Sequence, residues 1–249
     1  MSNLTLEVCP TPALLNQYNI SESIVVVIDI FRATSSICYG IENGATSIIP
    51  VSSIEACEDY RESQYLLAAE RDGQVVVGFD FGNSPFAYTS EKVKDKTIVL
   101  TTTNGTRAIN ESQHAHQIVV GSFLNLNALC DWLKAQNKNI CLLCAGWKDK
   151  VNLEDSLFAG AVVYQLRNNN YKVDDMGIIA ADIYSIAQGN LDGYLKKSSH
   201  SERLKKLNIE QDIAFCLQEN TTTAIPILKD GKLVKLKLEI EVEAYSALE

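Results

Sequence analysis

The sequence predicts an α/β fold in which a mainly parallel or mixed sheet lies between helix layers, with a C-terminal β-hairpin. Short apolar runs alternate with helix-type segments along most of the chain. Residues 23–28 are continuously apolar, which is typical of a parallel strand buried on both faces. Residues 225–238 alternate Lys and Leu around Asp230-Gly231, a hairpin signature that favours a half-exposed antiparallel pair.

The individual elements follow from this alternation of apolar runs and turn residues. The predicted strands are 23–30, 46–51, 65–69, 74–79, 97–102, 117–121 and 139–145. The predicted helices are 33–43, 53–63, 105–113, 124–136 and 154–168, followed by a helical region from about 178 to 218. We expect a single domain over residues 1–249, with two tightly packed βα halves, about 1–115 and 116–249, as the alternative.

Composition restricts the class of partner. The 249 residues are 46% hydrophobic, enough for a substantial core, and the net charge of −9 disfavours nucleic acid as a ligand. No run approaches the roughly 20 apolar residues of a membrane helix, and the N-terminus has no signal-like core, so we expect a cytoplasmic protein with no membrane partner. Seven cysteines, an odd number, fit reduced thiols. A homo-oligomer is compatible with the sequence, which does not define the oligomeric state.

The segment 101–107, Thr-Thr-Thr-Asn-Gly-Thr-Arg, is the most informative stretch of the chain. It lies between a predicted strand and a predicted helix, where backbone N–H groups in a tight turn bind anions. We therefore predict that Thr103, Asn104, Gly105 and Thr106 bind substrate. The alternative is an ordinary turn with an N-cap threonine and a surface arginine at Arg107.

A second polar segment follows the apolar strand 23–28. Asp29 stands at the strand's carboxyl end, where ligands bind in open α/β sheets, and Arg32 and Thr34 come directly after it. We predict catalytic roles for Asp29 and Arg32 and substrate binding by Thr34. The alternative is that Asp29 caps the following helix and pairs with Arg32.

Two further turns carry the same residue types. Glu70 and Arg71 lie just beyond the predicted strand 65–69, and both are predicted to be catalytic. The Gly- and Pro-bracketed loop 78–85 holds Asp80, with Asn83 and Ser84 as predicted substrate-binding residues. Taken singly, each segment also fits an ordinary charged or proline turn.

Together, the arginines and carboxylates indicate metal-assisted phosphoryl chemistry. Arginine forks suit phosphate oxygens, and Mg²⁺ prefers carboxylates together with substrate phosphate and water. The predicted metal ligands are Asp29, Glu70, Asp80, Glu154 and Asp155. For Glu154 and Asp155 the alternative is a stabilising charge at a helix N-terminus. A cysteine nucleophile at Cys144 is disfavoured because Lys150 stands where a C-x5-R phosphate loop requires arginine.

The same segments carry a family resemblance. The chain resembles the 2-phosphosulfolactate phosphatases, Mg²⁺-dependent enzymes of coenzyme M biosynthesis, from about Val25 to the C-terminus. The matching motifs lie at residues 29–36, 70–73, 78–85, 101–108, 144–146, 154–155 and 159–160. Ser199-His200 and Asp212-Ile213 also resemble later family positions. Ser35 and Ser36 replace family threonines but keep the hydroxyl groups.

The resemblance implies a specific reaction. The expected activity is hydrolysis of 2-phospho-3-sulfolactate, a small anionic phosphorylated substrate, to 3-sulfolactate and phosphate with Mg²⁺. Direct water attack is favoured over an aspartyl-phosphate at Asp29, because residues 29–31 lack the second Asp of the D-x-D motif. The alternatives are a phosphatase of the same fold with a different phospho-acid substrate, or a non-catalytic anion-binding module.

Overall fold

The computed structural model describes residues 4–207 and 209–237, and within these ranges it contains eleven strands. The strands are β1 (Thr5–Cys9), β2 (Ser23–Ile28), β3 (Ser47–Pro50), β4 (Leu66–Arg71), β5 (Gln74–Val75), β6 (Thr97–Thr101), β7 (Gln117–Gly121), β8 (Asn139–Cys144), β9 (Lys172–Val173), β10 (Pro226–Lys229) and β11 (Lys232–Lys235). The hairpin predicted over 225–238 corresponds to β10 and β11. Leu238 lies outside the described residues.

Ten α-helices connect these strands in the described ranges. They are α1 (Ala33–Glu42), α2 (Ile54–Glu58), α3 (Ser90–Val93), α4 (Gly105–Glu111), α5 (Leu126–Gln136), α6 (Leu153–Leu166), α7 (Asp175–Ala187), α8 (Leu191–Leu195), α9 (Ser199–Lys206) and α10 (Glu210–Cys216). No helix among the described residues combines the length and apolar character needed to cross a membrane.

All eleven strands form one mixed sheet, which confirms the predicted fold class. The strand order is β5-β4-β6-β3-β11-β10-β7-β2-β8-β1-β9. Strands β4, β6 and β3 are mutually parallel, as are β7, β2, β8, β1 and β9. The antiparallel hairpin β10–β11 joins these two parallel groups by pairing β10 with β7 and β11 with β3. The predicted hairpin is therefore at the centre of the sheet and not at its edge.

The sheet is buried between helix layers. Alternate residues of β2 face different cores: Ile24 and Val26 pack with apolar residues of α5, α6 and α7, whereas Val25 and Val27 pack with residues of α1 and α4. This explains the continuous apolar run at 23–28, since both faces of β2 are covered. The single-domain organisation predicted for residues 1–249 stays a prediction.

Several elements differ from the sequence prediction. Strand β1 was not predicted, although its Leu6 and Val8 are fully buried and it pairs with β8. The predicted strand 74–79 reduces to β5, because the chain turns at Gly78, whose φ is +88°. The helical region 178–218 is divided into α7 to α10. One break follows from Asn190, whose side chain accepts the N–H of Gly193 and starts α8 anew.

Candidate active site

Strands from both parallel groups end next to one cavity. It lies next to the carboxyl ends of β2, β4, β6 and β8. The two groups run in opposite directions across the hairpin, and residues at the carboxyl ends of strands from both groups line this cavity. The predicted site residues that line the cavity are Asp29, Arg32, Glu70, Asn83, Thr103 and Asn104.

Arg32 is held in the cavity wall by partners from two other segments. Its Nη1 donates to Oδ2 of Asp212, and its Nη2 donates to the carbonyl oxygen of Gly73 at 2.7 Å. The Oγ of Ser84 donates to the other oxygen of Asp212 at 3.0 Å. Arg32 is therefore paired with Asp212, and the alternative of a pair with Asp29 is not formed. Its remaining N–H donors are available to an anion, since a guanidinium carries five.

Asp29 is fixed by the turn that follows β2. Its backbone N–H donates to Oγ1 of Thr34, and its carbonyl accepts the N–H of Thr34, both at 3.0 Å. Thr34 is fully buried and thus serves the turn. A Cβ at Gly105 would lie 2.8 Å from Oδ2 of Asp29, so glycine is what allows the helix start of α4 to approach this carboxyl.

The electrostatics of Asp29 suit a site that handles protons. Burial raises the pKa of Asp29 to about 7, the charge of His200 opposes this rise, and the charges of Glu70 and Glu154 add to it. The nearby backbone N–H of Ala33 lowers the same pKa. The N-cap residue of α1 is Arg32 and not Asp29, so the helix-capping alternative is not formed.

Glu70 accepts hydrogen bonds from two of the predicted turns. Its Oε1 accepts the N–H of Gly73, which closes the turn after β4. Its Oε2 accepts weaker hydrogen bonds from Thr103, at 3.5 Å from the N–H and 3.4 Å from Oγ1. The predicted anion turn and the predicted carboxylate thus meet at one wall of the cavity.

The start of α6 holds two buried acids with different environments. Glu154 contacts Nδ1 of His200 through Oε1, while its Oε2 has no hydrogen-bond partner in the described part of the chain. Asp155 accepts the N–H of Ile30 at 2.9 Å and the N–H of Gly146 at 3.1 Å. Burial raises the pKa of Asp155 well above its usual range, with the charges of Asp29 and Glu154 adding to the rise. Asp155 therefore fixes the loops after β2 and β8.

The turn after β6 is stabilised by two threonines. The N–H of Thr106 donates to Oγ1 of Thr102 at 3.1 Å, and the N–H of Thr102 donates to Oγ1 of Thr106 at 3.2 Å. Thr106 is thus used within the turn, which leaves Thr103 and Asn104 toward the cavity. Arg107 pairs with Glu111 and Asp149 at the surface, as the ordinary-turn alternative expects for that residue.

Eight predicted site residues do not line the cavity, and Asp80 and Arg71 are two of them. Asp80 is exposed, and its Oδ2 accepts the N–H of Leu67 at 2.7 Å. Arg71 donates to the carbonyl oxygen of Glu70 at 2.6 Å and to Oγ1 of Thr101 at 3.2 Å, and it lines a separate cavity with Arg107. The structure does not bring either residue to the cavity of Asp29, and their catalytic and metal-binding roles stay predictions.

Sequence reasoning did not include four residues that line the cavity: Trp147, Lys148, His200 and Arg203. The indole of Trp147 stacks on His200 with ring centroids 6.3 Å apart, and it contacts the cations of Lys148 and Arg203. Only the family-like Ser199-His200 pair signalled any of them. The others come from a turn and a helix that no local motif links to β2.

The cysteines take no part in this site. All seven are unpaired and buried. Burial raises the pKa of the Cys144 thiol well above its usual range, so the thiolate that a cysteine nucleophile requires is disfavoured.

Two of the predicted metal ligands line the cavity. Asp29 and Glu70 both line the cavity, and two carboxylates with water and substrate phosphate satisfy Mg²⁺. Within residues 4–207 and 209–237, no group of three or more His, Cys, Asp or Glu side chains is arranged to hold a metal. Asp80, Asp155 and Glu70 all accept backbone N–H groups, and the metal-binding role of each predicted ligand stays a prediction.

The fold is α/β and the cavity holds arginines and carboxylates, and comparison with known proteins identifies the class of protein. A family model described as 2-phosphosulpholactate phosphatase matches residues 9–231. A probable 2-phosphosulfolactate phosphatase of Thermotoga petrophila is 44% identical over 210 residues, covering 84% of this chain and 90% of that protein. One from Caldanaerobacter subterraneus subsp. tengcongensis is 38% identical over 222 residues, covering 87% and 92%. The chain belongs to the 2-phosphosulfolactate phosphatase family, whose members are phosphoric monoester hydrolases.

Proposed function

We propose that this protein hydrolyses 2-phospho-3-sulfolactate to 3-sulfolactate and phosphate with the help of Mg²⁺. The observation that carries the proposal is the cavity in which Arg32, fixed by Asp212 and Gly73, stands with the carboxylates Asp29 and Glu70. Family membership supports the reaction, since the relatives are named for it.

Arg32 binds and orients the phosphoryl group. Its buried guanidinium is already positioned, so the charge that spreads over the equatorial oxygens in phosphoryl transfer meets donors that need no rearrangement. Thr103 and Asn104 add polar contacts from the turn after β6.

Asp29 and Glu70 would hold the metal ion. Bound there, Mg²⁺ supplies Lewis acidity to the phosphoryl oxygens and lowers the pKa of a bound water. The two carboxylates suit this role because both line the cavity and the charge of Glu70 raises the pKa of Asp29, an unfavourable proximity that a cation relieves.

His200 can move a proton at the leaving oxygen. Its Nδ1 is engaged by Glu154, which fixes the ring, and leaves Nε2 as the ring atom for the cavity. The buried Glu154 thus positions His200. We also propose a cytoplasmic location, which the seven unpaired cysteines support.

The test is released phosphate from a panel of phospho-acids that contains 2-phospho-3-sulfolactate, 2-phospholactate and p-nitrophenyl phosphate. Each substrate is assayed with added Mg²⁺ and after exhaustive EDTA treatment. We expect the highest kcat/KM for 2-phospho-3-sulfolactate and loss of activity in EDTA that Mg²⁺ restores.

Three results would contradict separate parts of the proposal. A higher kcat/KM for another phospho-acid would contradict the proposed substrate but not the proposed reaction. Full activity after EDTA treatment would contradict the requirement for Mg²⁺. The absence of released phosphate from every substrate would contradict the phosphatase reaction itself.

A further inference from the structure

We propose that Lys148, in the Trp147 turn, and Arg203, on α9, form a subsite for an anionic group of the substrate other than the phosphate, a sulfonate or carboxylate on the carbon skeleton. The subsite rests on the proposed function, because it assigns the part of the cavity that the phosphoryl group does not use. Neither residue belongs to the motifs by which the sequence resembles its family.

Lys148 is presented by a tight turn after β8. Lys148 and Asp149 both have positive φ, +52° and +59°, and the turn is closed by hydrogen bonds between Trp147 and Lys150 of 2.9 and 3.1 Å. Gly146 allows this turn to form, since a Cβ there would lie 2.5 Å from the carbonyl oxygen of Lys150. The turn thus holds the ammonium of Lys148 at the cavity, 4.8 Å from the Trp147 ring centroid.

Arg203, on α9, also contacts the Trp147 ring at the cavity. Its Cζ lies 5.1 Å from the ring centroid of Trp147, and its Nη2 would lie 3.6 Å from a Cβ on Gly73. Gly73 is also the residue whose carbonyl accepts from Arg32. Arg32, which we propose binds the phosphoryl group, and Arg203 therefore both lie next to Gly73 in the turn after β4.

The charges of Lys148 and Arg203 are not matched by protein. In the part of the chain that the structure describes, neither forms an ion pair, and Nε of Arg203 is buried without a hydrogen-bond partner. The acid next to Lys148, Asp149, pairs instead with Arg107, and Arg32 already has Asp212. Both cations contact one indole at the cavity, and an anion bound there would supply the opposite charge that the protein does not.

The substrate has the complementary shape. Its phosphoryl and sulfonate groups are attached at adjacent carbons, so Arg32 and the Lys148–Arg203 pair, which line one cavity, can hold both groups at once. A guanidinium stacked on an indole keeps its in-plane N–H donors for the oxygens of the anion. The pair of cations thus selects substrates with an acidic group beside the phosphate ester.

Equilibrium binding tests this subsite without turnover. Titration calorimetry of the full-length protein, with Mg²⁺ present, compares 3-sulfolactate, lactate and inorganic phosphate as ligands. In the double variant Lys148→Ala/Arg203→Ala we expect the Kd of 3-sulfolactate to rise at least ~10-fold more than the Kd of phosphate, as for lost charge-assisted hydrogen bonds. Comparison with lactate separates the sulfonate from the carboxylate.

Matched controls are available on the same two elements. Lys150→Ala in the turn and Lys205→Ala on α9 remove a positive charge at exposed positions outside the cavity, and we expect neither to change the Kd ratio. Arg203→Gln keeps the stem on Trp147 and serves as a second variant if the double variant unfolds, which a melting curve reports.

The subsite would be overturned if the double variant raised the Kd values of 3-sulfolactate and phosphate equally, or changed neither. It would also be overturned if the wild-type protein bound phosphate but neither 3-sulfolactate nor lactate. Failure of the proposed function gives a different result, since it appears as missing phosphate release by the wild-type enzyme.

Discussion

The guanidinium of Arg32 is fixed by residues distant in sequence, and this determines what the residue contributes. The partners Asp212 and Gly73 hold two of its nitrogen atoms in a buried wall. A side chain held in this way loses little further entropy when the substrate binds, which is the basis of electrostatic preorganisation.

Arg32→Lys tests this preorganisation. Lysine keeps the charge but cannot contact Asp212 and Gly73 through two nitrogens, and it offers no fork to phosphate. We expect kcat/KM to fall at least ~100-fold, on the order of 3 kcal/mol of lost transition-state stabilisation. Steady-state kinetics measure the effect.

Arg61→Lys is the matched control. Arg61 also contacts a carboxylate, Glu58, and a glycine carbonyl, that of Gly78 at 3.0 Å, but it is exposed and far from the cavity lining. We expect near wild-type kinetics for it. Near wild-type kcat/KM in Arg32→Lys as well would exclude Arg32 from the site.

Burial of the ionised Asp29 carboxylate lowers the stability of the folded protein. Its folded-state pKa of about 7 exceeds the usual value, so the folded protein loses stability as pH rises from about 4 to 7. Asp29→Asn removes this ionisation. In EDTA, we expect the variant to melt above the wild type at pH 8. That advantage should shrink as pH falls toward 4, by about 1.4 kcal/mol for each pH unit below the folded-state pKa.

Melting curves at several pH values measure this difference. Asp192→Asn is the control, because Asp192 is an exposed carboxylate in a surface pair with Lys196 and such pairs contribute only about 0–1 kcal/mol. A pH-independent difference between Asp29→Asn and the wild type would show that ionisation of Asp29 is not the cause.

At the scale of elements, the close packing of α6 on α7 positions the buried acids. A Cβ on Gly160 of α6 would lie 2.0 Å from the carbonyl oxygen of Ala180 and 3.0 Å from Cβ of Tyr184. The first turn of the same helix carries Glu154 and Asp155, so the approach of the two helices fixes the ends of β2 and β8 as well.

Gly160→Ala should separate these helices. Overpacking against backbone typically costs 1–3 kcal/mol, and we expect about 3 kcal/mol or more here, which lowers Tm by roughly 6–12 °C in a chain of this size. Gly189→Ala is the control, since a Cβ there meets nothing within 4 Å. Equal melting temperatures for the two variants would contradict the close contact.

The elements show which parts the sequence can predict. Strand β2 and the loop after it are encoded locally, because a strand buried on both faces must be apolar throughout and a polar residue must follow at its end. The cavity position of Arg203 is not encoded in this way, since the contact of α9 with the Trp147 turn depends on tertiary packing. Asp80 and Arg71 carry the same residue types as Asp29 and Arg32 but face other partners.

At the scale of the whole molecule, the hairpin β10–β11 joins the two parallel groups of strands. Leu233 is fully buried, pairs with Ile48 of β3 and faces Leu228 of β10 across the hairpin. Ile227 of β10 pairs with Val119 of β7. The continuity of the sheet thus depends on a short, late segment of the chain.

Leu233→Ala should weaken both groups of strands together. Loss of a buried leucine costs about 2–5 kcal/mol. We expect hydrogen exchange to increase in β3, β6 and β4 and also in β7 and β2, with Lys232→Ala, exposed on the same strand, as the control. A loss of protection confined to β3 and its neighbours would show that the hairpin does not connect the groups energetically.

The central place of the hairpin has a consequence during synthesis. Strands β3 and β7 leave the ribosome long before β10, and each has an open edge until the hairpin pairs with it. At ~5–20 residues per second, the interval between β7 and β10 lasts roughly 5–20 s. During that time, the nascent chain exposes two apolar strand edges that can pair with other chains. Chaperone dependence and yield are therefore expected to respond to changes in β10 and β11 more than to changes at the outer strands.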